Sequence, residues 1–150
     1  MLNQAYIKYR EVYMKNIEIN PFERYTTTFK ALSDLTRLKI MWLLLSIDSK
    51  ISVSEIIDVL EESQYNVSKH LKILKNSNLI YEKKDGKWSF YYYLPSDDIF
   101  NEYVKQTVMA IPKDLMTKEI VRCSKRLSMR VDDKCVIGAA SDVWAEIKKE

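Results

Sequence analysis

Between Ser63 and Leu94 one helical pattern gives way to two strand patterns joined by Asp85-Gly86, and few folds accommodate that order. Ser63 is placed to cap the helix, accepting a hydrogen bond from an otherwise unpaired N–H of the first turn. Val67, Leu71 and Leu74 recur at i, i+4 and i+7, the spacing of a buried stripe. The other faces carry Gln64, Tyr65, Asn66, Ser68, Lys69, Lys72 and Lys75. Asn78 suits a helix stop, because asparagine tolerates left-handed backbone better than most residues. Leu79 to Lys83 then reads as a strand, Asp85-Gly86 as a tight turn, and aromatic-rich Lys87 to Leu94 as the returning strand. A polar-faced helix followed by a basic hairpin is the outline of a winged helix-turn-helix that reads DNA.

Charge follows the same segment. Residues 63–88 hold six lysines (69, 72, 75, 83, 84 and 87) against Glu82 and Asp85, a local +4 in a chain of +3, so the remainder is close to −1. Positive charge gathered where a phosphate backbone would lie is what electrostatic DNA binding requires. An ordinary solvated lysine face would show the same charge; the cap, the stripe and the hairpin separate the two readings.

Along the rest of the chain, residues 2–19 form an amphipathic helix through Tyr6, Tyr9, Tyr13 and Ile17, interrupted by Pro21. Residues 22–32 continue helical, with Phe22, Tyr25, Phe29 and Leu32 on one side. Ser33 or Asp34 caps Leu35 to Ile47, whose core face is Leu38, Met41, Trp42 and Leu45. Ser52 or Ser54 starts a short helix ending near Leu60. Residues 97–111 return to a helical pattern, closed by Pro112. The fold class is mainly α with a small β-hairpin wing, a winged helix-turn-helix with N- and C-terminal extensions. Residues 1–112 make the DNA-binding and dimerisation domain and residues 113–150 the C-terminal extension. With one histidine, two glycines and no phosphate-binding loop, no enzyme is expected, and no cofactor. No apolar run approaches a membrane span, and two cysteines make no disulfide scaffold, so the expected setting is cytoplasmic.

The segments F-K-A-L-S-D-L-T-R-L-K-I-M (29–41), S-V-S-E-I-I-D-V-L (52–60) and N-V-S-K-H-L-K-I-L-K-N-S-N-L-I (66–80) resemble the ArsR/SmtB family of transcriptional regulators. The resemblance covers residues about 27–110. Leu35 stands where the family usually has proline and Asn78 where it usually has glycine; both are compatible with the fold. The resemblance implies a homodimeric repressor that leaves its operator when an effector binds, with the dimer made by residues 2–19 and 97–111. Two recognition helices would then lie about one DNA turn apart, roughly 34 Å, on a near-palindromic double-stranded site. Outside that class, winged helices also serve as protein-interaction adaptors, a role favoured if the extension covered the lysines of 63–88.

For base contacts the candidates are Gln64, Tyr65, Asn66, Ser68 and Lys69, with Ser63 at the helix start. Gln64 and Asn66 suit bidentate bonds to adenine. Lys69, Lys72, Lys83, Lys84 and Lys87 suit phosphates. His70 reads as a packing or phosphate-contact residue, and at least one of Tyr91, Tyr92 and Tyr93 must face the core. The family's arsenic-type C-x-C-x-x-C cluster falls on Ser52, Ser54 and Ile57, which supply no thiolate. Its zinc-type site on the helix after the wing would have Asp97, Asp98 and Glu102 but no histidine. No metal site is expected from either pattern.

In the extension, Lys113 to Arg126 reads as a helix. Leu127 to Val131 and Cys135 to Ala139 flank Asp132-Asp133-Lys134 as a second small hairpin, and Ser141 caps a last helix through Trp144. Arg122, Lys125, Arg126 and Arg130 stand near Cys123 in sequence, and cations converging on it would lower its thiol pKa. Cys123 and Cys135 are therefore a candidate redox or metalloid switch, set against the plain alternative of two buried free cysteines. A small-molecule pocket near Trp144 and Met129 is a further use for the extension.

Overall fold

The computed structural model describes residues 20–150, together with Gln4, Ile7, Lys8 and Glu11, which are helical and exposed. The stripe expected over residues 2–19 (Tyr6, Tyr9, Tyr13, Ile17) lies outside the described residues. The elements run α1 (Glu23–Leu32), α2 (Leu35–Ile47), β1 (Ile51–Ser52), α3 (Val53–Leu60), α4 (Gln64–Asn76), β2 (Ile80–Asp85), β3 (Trp88–Tyr93) and α5 (Ile99–Met109). A 3-10 turn at Lys113–Met116 then leads into α6 (Thr117–Ser128) and α7 (Asp142–Ile147).

Asp34 starts α2 by accepting the Arg37 N–H at 3.0 Å. Five consecutive residues of α2, Ile40 to Leu44, are buried, whereas Leu38 and Leu45 of the expected core face are only partly covered. The reason is that α2 is the central helix, packed by α1, α4, α5 and β3 on different sides. A helix covered all round keeps no single apolar face. The Trp42 indole N–H reaches the Ile111 carbonyl at 3.2 Å and ties α2 to the end of α5.

α3 opens with a reciprocal cap. Ser52 Oγ accepts the Glu55 N–H at 3.2 Å, and Glu55 Oε2 accepts the Ser52 N–H at 2.8 Å. Ser52 also belongs to β1, a strand too short to leave a periodic signal in sequence. β1 pairs with β3 (Ile51 opposite Tyr91, Ser52 opposite Phe90), which makes an antiparallel sheet in the order β1-β3-β2.

Asn78 ends α4 as expected. With φ of 60° it is left-handed, its N–H bonds the Lys75 carbonyl, and the Leu79 N–H bonds Leu74. The hairpin turn sits one residue later than expected, since Asp85 pairs with Trp88 and leaves Gly86-Lys87 as the loop. Gly86 has φ of 60° and Lys87 is not left-handed, the sign pattern of a type II′ turn with glycine first.

The second hairpin is a correction. Asp132 and Asp133 do form a tight turn, both with positive φ, closed by a single bridge between Val131 and Lys134. No strand flanks it among the described residues. Before the turn Leu127 and Ser128 still belong to α6, and the Arg130 N–H bonds the Leu127 carbonyl just past its end.

Candidate nucleic-acid interface

Ser63 fixes the start of α4 by accepting the Asn66 N–H at 3.2 Å, while Val67, Leu71 and Leu74 are fully buried below it. Burying that stripe leaves the opposite face to solvent. Gln64, Tyr65, Asn66, Ser68, Lys69 and Lys72 are all exposed, as is Ser63 itself. Ser63 Oγ is occupied as an acceptor in the cap; its O–H remains a donor for a phosphate oxygen. The Asn66 side-chain amide donates to Glu62 at 3.2 Å, a contact that a base edge would have to replace.

The wing stands beside this helix. Lys75 of α4 bonds Glu82 of β2 at 2.7 Å, and that bond holds the Glu82 carboxyl below its ordinary range despite partial burial. Lys83, Lys84 and Lys87 are exposed. Among the described residues none of Lys69, Lys72, Lys83, Lys84 and Lys87 takes a salt bridge, although Lys84 lies within electrostatic reach of Glu82. Lys87 lies over the Trp88 ring, 5.0 Å from its centroid.

Strand parity divides the wing lysines. Lys84 shares a face with Glu82 and Tyr91, the face joined to α4 through Lys75. Lys83 points the other way, with Phe90 and the stacked pair Tyr81–Tyr92 at 4.9 Å. Tyr91 is the buried member of the tyrosine run; burial first, then Glu82, push its hydroxyl up to about 12.

His70 packs against the start of α2. Its Nδ1 lies 3.2 Å from Arg37 NH1 and 3.6 Å from Asp34 Oδ1. Arg37 also donates to the carbonyls of Lys30 and Ala31, so one cluster joins the recognition helix to the α1–α2 corner.

The lysines of 63–88 are not covered by the extension, which lies against α3 instead. The cations that stand beside Cys123 in sequence turn to carboxylates instead of converging on its thiol. Cys123 and Cys135 are both buried and free. Burial, then the Glu55 carboxylate, push the Cys123 thiol up to about 11, against a smaller opposing pull from Arg130. The arginines face carboxylates rather than the thiol: Arg126 bonds Asp58 at 2.7 Å and Arg130 bonds Glu55 at 2.7 Å. Cys135 takes the Ser52 hydroxyl at 3.4 Å, and Trp144 is buried. The sequence held an overlooked signal for this arrangement, since Arg122, Arg126 and Arg130 repeat at one helical spacing and Glu55, Asp58 and Glu61 at another. Among the described residues no group of three or more His, Cys, Asp or Glu is placed to hold a metal ion.

A capped, polar-faced helix beside a basic two-stranded wing defines a winged helix-turn-helix DNA-binding protein. The model of the arsR family of bacterial regulatory proteins matches residues 34–82, from the α2 cap into β2. An uncharacterised HTH-type transcriptional regulator of Methanocaldococcus jannaschii is 39% identical over 84 residues, covering 56% of this chain and 91% of that protein. The arsenical resistance operon repressor of Bacillus subtilis is 41% identical over 68 residues, 45% of this chain and 64% of the repressor. Among solved structures, the homodimeric winged helix-turn-helix domain of a possible ArsR-family regulator from Mycobacterium bovis aligns with a TM-score of 0.52. It is 19% identical, over 71% of this chain and 89% of that one, a likeness of fold. The chain belongs to the ArsR family and is a DNA-binding transcriptional regulator. Among the described residues no helix is long and apolar enough to cross a membrane.

Proposed function

We propose that this regulator works as a cytoplasmic homodimeric repressor, which holds a near-palindromic operator and releases it when an effector binds. The observation that carries the dimer is the apolar surface of α1 and α5. A groove of about 510 Å³ lies there, lined by residues such as Phe29, Leu38, Phe100, Tyr103 and Val108. Phe22, Phe29, Ile99 and Tyr103, on or beside these two helices, are each at least 60% exposed. A soluble monomer rarely leaves such a surface uncovered. α5 lies in one of the two segments, residues 2–19 and 97–111, that the family resemblance assigns to the dimer, and the Mycobacterium bovis domain is a homodimer. Repression is supported by the Bacillus subtilis relative, an operon repressor. In this reading residues 1–112 bind DNA and dimerise, and residues 113–150 form an extension.

Asn66 with Gln64 and Tyr65 would read bases, while Lys69, Lys72, Lys84 and Lys87 would hold phosphates. Lys83 would contribute less, because it points away from α4. The test is binding to the DNA upstream of the chain's own coding region over a salt series, with the mass of the free protein measured in parallel. Asn66→Ala is expected to relax sequence preference. Lys84→Ala should weaken all duplexes alike and reduce the salt slope by about 1. A monomeric mass would refute the dimer; non-specific, salt-insensitive binding would move the chain to the adaptor class.

A further inference from the structure

α6 meets α3 through two facing rows of opposite charge. Arg122, Arg126 and Arg130 come once per turn along α6 and just past its end. Glu55, Asp58 and Glu61 recur every three residues along α3 and its terminus. The rows run antiparallel. Arg130 forks onto Glu55, with Nε donating to Oε1 at 2.7 Å and NH2 to Oε2 at 2.8 Å. Arg126 Nε donates to Asp58 Oδ2 at 2.7 Å. Arg122 NH1 lies 3.3 Å from Glu61, and its Nε donates to the Val59 carbonyl at 2.6 Å. Lys148, just beyond α7, reaches Glu61 at 3.4 Å. The side chains of Glu55 and Asp58 are 0% and 2% exposed, and charges so desolvated persist only when fully paired.

The last rung of this ladder falls on the turn that launches the recognition helix. Glu61 has the left-handed backbone (φ of 54°) that swings the chain from α3 to α4. The next residue, Glu62, accepts from Asn66, and the next, Ser63, caps α4. We propose that the C-terminal extension is an intramolecular clamp that presets the recognition helix for DNA. Arg122 and Lys148 are its positioning residues, acting through Glu61. The proposal rests on the DNA-reading role of α4 and adds to it a part for residues outside the helix-turn-helix.

Glu61→Gln separates positioning from charge. Its side chain is half exposed, so the fold tolerates the change. Removing a negative charge beside α4 strengthens attraction to phosphate if electrostatics alone matter. If the clamp positions the turn, affinity falls instead, by about two- to fivefold on the scale of a partly exposed ion pair. Arg122→Gln, which moves the net charge the other way, is expected to weaken binding by a similar factor. Both are measured far below the melting temperature, on a duplex selected by the wild-type protein from a random pool. A merely structural role leaves affinity unchanged there. Amide exchange at residues 62–67 of the free protein is expected to quicken in both variants. Glu61→Gln binding as tightly as wild type or tighter overturns the proposal, and so does faster exchange without weaker binding. Failure of the wild type to select any duplex would refute the DNA reading itself and the clamp with it.

Discussion

Replacing Arg126 by methionine tests whether the extension is integral to the fold. Arg126 is 1% exposed and ties α6 to α3 and to the irregular segment before α7, donating from Nε to Asp58 and from NH2 to the Ile137 carbonyl at 2.7 Å. Methionine keeps much of the volume and removes both bonds. Asp58, whose other oxygen accepts the Ala140 N–H at 2.7 Å, is left as a buried carboxylate with no counter-charge. Breaking one side of such a pair costs about 3–5 kcal/mol, a large share of the roughly 5–15 kcal/mol that holds a domain together. At this chain length the melting temperature should fall by about 6–20 °C. Arg126→Lys should fall between, because one ammonium cannot reproduce a planar fork aimed at two acceptors. Adding Asp58→Asn to the Arg126→Met background removes the stranded charge and keeps an acceptor for Ala140, so at least about 2 kcal/mol should return. The assay is urea unfolding of each single variant and the double. A loss below about 1 kcal/mol for Arg126→Met, or no recovery on adding Asp58→Asn, would refute the burial argument.

Three further outcomes are expected. Asn78→Ala should cost about 1–2 kcal/mol in denaturant unfolding, since Asn78 is left-handed, whereas Asn78→Gly should be neutral or stabilising. Asp34→Ala should cost about 1 kcal/mol as a lost cap. The Arg37 N–H, against the smaller effect of burial and helped by His70 and Arg37, holds the Asp34 carboxyl below its ordinary 3.8. Its contribution is therefore present above that value and lost as pH falls through the lowered one, so the variant and wild-type curves should converge in acid. Cys123, pushed up to about 11 from 9.0, carries about a hundredfold less thiolate than an ordinary thiol at neutral pH. Its alkylation at pH 8 should be at least that much slower than in the urea-unfolded chain. The folded protein holds this proton more tightly, so the associated stability is complete below pH 9 and declines as pH rises through about 11. Rapid native alkylation would contradict the burial.

What was legible in the sequence was legible where independent local signals agree. α4 has a cap at Ser63, a stripe through Leu74 and a stop at Asn78, and the structure keeps all three. Ser141 and the helix through Trp144 were readable on the same grounds. β1 escaped because two residues cannot display a period, and its partner Phe90 lies 38 positions away by number. The Asp132-Asp133 turn is real, but turn chemistry says nothing about what flanks it: α6 runs on through Ser128, and residues 135–139 form no strand. The partners of the arginines are hidden for a related reason. A basic row next to a cysteine suggests an activated thiol until the carboxylates that claim the arginines are found on a helix some 60 to 75 residues earlier. The opposite faces of Lys83 and Lys84, by contrast, follow from strand parity alone and needed no tertiary information.

The outer face of α3 shows how an added segment changes what a shared fold can do. Of the three positions that the family resemblance matches to the arsenic-type cysteine cluster, two have structural work in this chain. Ser52 caps the helix and contacts Cys135, and Ile57 is buried in the core. The carboxylates alongside, Glu55 and Asp58, have all their strong contacts within the chain: Arg130, Arg126, the Ser52 N–H and the Ala140 N–H. A ligand approaching α3 from outside would first have to displace α6 and leave two buried carboxylates unpaired, at several kcal/mol. In the single chain the α1–α5 surface carries no such penalty, since its aromatic side chains are exposed and its groove is open; in the proposed dimer it is the seam between two copies. The α1–α5 surface meets the recognition helix through α2, which packs against α1, α4 and α5, whereas α3, held by α6, packs against the recognition helix itself.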